Sequence, residues 1–60
     1  MDSNYIQASV DIVGMPRAQA KRNLLALLRT VSHDHRWPVE VRLAYMADLL
    51  ATHRNLWSTT

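Results

Sequence analysis

Apolar residues recur along this chain at spacings of three and four, the rhythm of helices that bury one face. The clearest run is Val39, Leu43, Met46, Leu50, His53 and Trp57, which predicts a helix over 38–57 with these residues as its seam. Pro38 fits the first turn, where a missing N–H is no loss, and Glu40 places an anion near the positive end of the helix dipole. A second helix is predicted over 16–32, entered by Pro16. Ala20, Leu24, Leu27 and Val31 share one face of it, and Leu25 and Leu28 widen that face. The polar link 33–37, His33-Asp34-His35-Arg36-Trp37, is short enough to join antiparallel neighbours. The expected fold is all-α: one domain over 1–60, built on an antiparallel helical hairpin.

The N-terminal segment, 1–15, reads two ways. Ile6, Ala8, Val10 and Ile12 alternate with Gln7, Ser9 and Asp11 as a half-buried strand would. Ile6, Val10 and Val13 also sit at helical spacing, in phase with Ala20, Leu24, Leu27 and Val31. That phase favours a short helix, with Gly14 ending it and Pro16 starting the next.

The last helix carries more apolar surface than one facing helix covers. Beside its seam runs a small-residue stripe, Ala44, Ala47 and Ala51, with Tyr45, Leu49 and Leu56 on the other flank. Contiguous exposed apolar area marks an interaction surface. A homodimer through Leu43, Ala44, Met46, Ala47, Leu50, Ala51 and Trp57, closing a four-helix arrangement, is therefore expected. An N-terminal segment folded back over this surface is the alternative.

Length and composition sharpen that expectation. Sixty residues bury only about 60% of the surface of the unfolded chain, so a lone monomer is marginal. With no cysteine, disulfides and thiolate zinc sites are excluded and a reducing compartment fits, which leaves association as the remaining support. No basic-then-apolar leader opens the chain. The run Leu24-Leu25-Ala26-Leu27-Leu28 is far short of the roughly 20 residues that cross a bilayer. A cytoplasmic protein without a membrane partner is expected.

Chemistry is sparse. One glycine forbids a phosphate-cradling loop, and Asp11, Asp34, Glu40 and Asp48 are too scattered to pair as acid and base, so no enzymatic activity is expected. His33, Asp34, His35 and His53 are metal-ligand types, but their spacing matches no closed site, and neither metal nor other cofactor is expected. Leu24–Leu28 spells an LxxLL groove-docking pattern with leucines that the core also needs.

Charge is more informative. The net charge is only +2, yet no acid occurs between Asp11 and Asp34, while Arg17, Lys21, Arg22 and Arg29 load the middle helix and Arg36 the loop. With Trp37 beside Arg36, these residues are the expected partner-binding set, since Arg and Trp dominate binding hot spots.

The function expected is a small regulatory or accessory protein, of the compact sort that phages and mobile elements carry. It would bind and modulate a protein target through a hairpin dimer. Nucleic acid is the second class of partner. Were residues 5–13 a strand, the order strand–helix–helix would resemble the ribbon-helix-helix repressors, which implies a dimeric DNA-binding transcriptional repressor. Its outward residues would be Tyr5, Gln7, Ser9 and Asp11, without a cation, which departs from a phosphate-facing ribbon.

Overall fold

The computed structural model describes residues 2–58, and all its regular structure there is helical: α1 (Ser3–Val13), α2 (Arg17–Ser32) and α3 (Val39–Thr52), closed by a 3₁₀ turn, Arg54–Trp57. Each start has an identifiable cause. Asp2 caps α1, its carboxylate accepting from the Asn4 N–H at 2.8 Å. Pro16 and Pro38 stand just outside α2 and α3 in an extended conformation that suits their fixed φ. Their carbonyls accept the first helical bonds, from Ala20 at 2.8 Å and Arg42 at 3.1 Å.

The N-terminal segment is thus a helix, and the ribbon of the repressor-like alternative is not formed. The helix does not continue the phase of α2, however. The turn at Gly14–Pro16 reverses the chain, and α1 packs back on α2 with its other stripe: Tyr5 and Ile12 are buried, Ala8 and Met15 partly so. Ile6, Val10 and Val13, the stripe expected to be in phase, face outward. Gly14 ends α1 at φ −88°, an ordinary right-handed value.

α2 is the central element, in contact with both α1 and α3. Ala20, Leu24, Leu27 and Val31 of its expected face form the heart of the core, joined by Tyr5, Ile12, Leu49 and Leu56. Leu28 is partly buried, but Leu25, expected to widen that face, is exposed because it lies about 100° around the helix from Leu24. α3 returns alongside α2, because Arg42 near its start reaches the Ser32 carbonyl at the end of α2, while Trp57 beyond its end lies by Lys21.

The seam expected for α3 is displaced by about one residue. Two of its six residues stand where expected, His53 buried and Met46 partly so. Leu49 is buried and Arg42 and Tyr45 partly buried beside them, whereas Val39, Leu43, Leu50 and Trp57 are exposed. The cause is α1. It supplies Tyr5 to Tyr45, ring centroids 6.4 Å apart, and Ser9 to His53, with Oγ 2.8 Å from Nε2. These contacts turn the Tyr45–Leu49–His53 side inward. His53 also ends α3, so the helical phase does not carry through to Trp57. The expected helix over 38–57 is a helix to Thr52 and a tighter turn after it.

Candidate interaction surface

Turning α3 inward on one side leaves its other side bare. Leu43 (59% exposed) and Leu50 (45%) stand on it with Ala44, Ala47 and Ala51, all exposed. Successive residues advance 100° around a helix, so Ala47 lies midway between a leucine flank (43 and 50) and an alanine flank (44 and 51). Six of the seven residues expected at a dimer interface are thus brought to one region of α3. Of these, Met46 is partly turned into the core, and the seventh, Trp57, lies on the α2 side.

The balance of apolar side chains is unusual. Among the described residues nine large hydrophobics are exposed, against seven large ones buried with Ala20 in the core. Single exposed leucines are ordinary, but a helix apolar around most of its circumference is built to be covered.

The basic set expected to bind a partner divides in two. Arg17 is consumed at the chain's far end: its Nε donates to the Leu56 carbonyl at 3.1 Å and its Nη2 to that of Ser58. Arg36 is consumed in the loop, where it pairs with Asp34 at 2.6 Å and Asp2 at 3.1 Å. Trp37 is not a free anchor. It is partly buried, its indole Nε1 is enclosed without a hydrogen-bond partner, and its carbonyl accepts from Arg42 at 3.0 Å. Lys21, Arg22 and Arg29 remain on the outside of α2. Lys21 lies over the Trp57 ring, Nζ 5.9 Å from the centroid, and the guanidinium groups of Arg22 and Arg29 make no hydrogen bond or ion pair among the described residues.

The Asp34 contacts form a clamp that the sequence did not disclose. Tyr5 donates its hydroxyl to Asp34 at 2.5 Å, and Arg36 reaches both Asp34 and Asp2. One group of side chains thereby ties the start of α1 to the link after α2. The Arg36 guanidinium first, then the Tyr5 hydroxyl, hold the Asp34 carboxyl well below the usual carboxylate range. The same contact pushes the Tyr5 hydroxyl up. A carboxyl depressed by folding stabilises the native state above its unfolded value, 3.8, and loses that contribution as pH falls further. A tyrosine raised by folding acts in the opposite sense, its contribution being lost as pH rises above 10. Melting followed by circular dichroism should therefore show a loss of stability below about pH 4. Asp34→Asn should lower the midpoint at neutral pH and make that acid limb shallower. An unchanged acid limb would show that the clamp contributes nothing.

The candidate metal ligands stay apart among the described residues. His33 ends α2, Asp34 is committed to the clamp, and no group of three His, Asp or Glu converges among the described residues. Ser9 and His53 form a hydroxyl–imidazole contact that links α1 to α3, and no carboxylate among the described residues bonds that imidazole. A cleft of about 490 Å³ opens beside it, lined by Ile12, Met15, Arg17, Thr52 and Leu56 among others. No helix is long and apolar enough to cross a membrane among the described residues. No protein-family profile matches the chain, and no curated protein and no solved structure matches it either.

Proposed function

We propose that this chain acts by association: a small, non-enzymatic regulatory or accessory protein that pairs with a second copy and binds and modulates a protein partner. The observation that carries this reading is the bare outer side of α3, where Leu43, Ala44, Ala47, Leu50 and Ala51 are all exposed. The second copy is the occupant that this surface fits best. In a two-fold antiparallel pairing of α3 centred on Ala47, each level on one helix meets the level equally far beyond Ala47 on the other. Leu43 then lies nearly level with Leu50 of the second copy, and Ala44 with Ala51. The alanines let the two backbones approach closely, and the leucines close one side of the contact. α2 and α3 of both copies together would form the four-helix arrangement, with the basic edge of α2 left outside for the partner.

Marginal size supports the same reading. A chain of 60 residues whose core has so few large side chains gains the most from a further apolar contact. The test is the solution mass of the chain beside that of an Ala47→Glu variant, whose charge sits at the centre of the proposed contact.

A further inference from the structure

We infer that the edge of α2 centred on Leu25 is the docking surface for an acidic amphipathic helix presented by the protein partner. This rests on the proposal that the chain acts by binding a protein, and it adds the chemistry that the partner must offer. Leu25 is 54% exposed, although the leucines on either side of it, Leu24 and Leu27, are buried. On a helix the neighbours of a residue are those three and four positions away. For Leu25 these are Lys21, Arg22, Leu28 and Arg29: three cations and a partly buried leucine.

Nothing on α2 opposes those cations. The helix contains no acid, Asp11 accepts from Gln7, and Asp34 is engaged by Tyr5 and Arg36. Trp57, 47% exposed beneath Lys21, extends the apolar ground from Leu25 toward α3. An apolar spot ringed by unopposed positive charge has a definite complement, namely an apolar anchor bordered by carboxylates. A helix with leucines one turn apart and Glu or Asp on both borders presents that arrangement.

Nucleic acid fits less well. Arg22 and Arg29 are separated by only about 10 Å along the helix, enough for few phosphates, and a phosphate backbone offers Leu25 nothing apolar. The α2 surface uses none of the residues of the proposed α3 pairing, Leu43, Ala44, Ala47, Leu50 and Ala51.

The experiment uses Trp57 as its own reporter. A Trp37→Phe background leaves it the only indole, and the probe is a synthetic helix with leucines on one face bordered by glutamates. Saturable change in Trp57 emission is expected, weakening as salt is raised. Arg22→Glu combined with Arg29→Glu should weaken binding about tenfold or more, and Leu25→Ser should weaken it too, with helical content unchanged. Should the double reversal disturb folding, Arg29→Gln alone carries the comparison. No saturable change would overturn the inference. So would equal binding of a probe with serine in place of leucine, or tighter binding of duplex DNA. Sedimentation of the same samples keeps the two proposals apart. A dimer that ignores the probe sinks the α2 surface alone, and a monomer that binds it sinks the α3 pairing alone.

Discussion

Replacing Ala47 with glutamate should leave each copy folded and separate it from its twin. In one copy position 47 is exposed on the outer side of α3, and glutamate is a good helix former, so the chain's own core is untouched. In the pair the same position lies on the two-fold axis. Two carboxylates would meet there, desolvated and without a cation in reach. An uncompensated buried charge costs about 3 kcal/mol or more, which weakens association at least about a hundredfold. Sedimentation should report a single-chain mass for the variant at concentrations where the unmodified chain is paired. Its melting midpoint should be lower and independent of concentration. An unchanged mass would place the contact elsewhere.

Replacing Leu24 with alanine should come close to unfolding the protein. Leu24 is fully buried at the centre of α2, and a buried Leu→Ala costs about 2–5 kcal/mol. A domain of this length has only about 3–9 kcal/mol in total. Since each kcal/mol moves the midpoint of so small a domain by about 4–8 °C, a drop of roughly 10–40 °C is expected. The neighbouring substitution Leu25→Ala is the control. It removes the same atoms from an exposed site, and its cost should stay within about 0.5 kcal/mol. Equal losses at 24 and 25 would mean that α2 buries a different face.

The two leucines mark where the sequence was legible and where it was not: Leu24 lies on the expected face, whereas Leu25, expected to widen it, is exposed. α2 has apolar residues on one face and polar ones on the other, so its periodicity has a single phase, and Ala20, Leu24, Leu27 and Val31 are where that phase puts them. α3 is apolar around most of its circumference, so two seams one residue apart fit its pattern equally well. Leu50 and Leu49 compete, and the choice falls to α1, which brings Tyr5 and Ser9 against Tyr45 and His53. α1 has the same ambiguity, with Tyr5–Ile12 and Ile6–Val13 both at helical spacing. The turn at Gly14–Pro16 selects the first pair by folding the helix back on α2.

Charge was legible as composition but not as availability. The acid-free stretch from Arg17 to Arg29 is plain in the chain, yet Arg17 finds its acceptors at Leu56 and Ser58, and Arg36 reaches back to Asp2. Such distant partners leave no local signal. The tryptophans exchange roles for a related reason. The helical phase that points to Trp57 stops at His53, where the helix ends. The polar neighbours of Trp37 suggest an exposed ring, whereas Arg42 holds its carbonyl and the fold encloses its ring nitrogen.

The most direct measurement is sedimentation equilibrium of the unmodified chain over a wide range of concentrations. Self-association through α3 predicts a mass approaching twice the 6.9 kDa of one chain, with a melting midpoint that rises with concentration. A species that stays at 6.9 kDa throughout and melts cooperatively at one fixed temperature would contradict it.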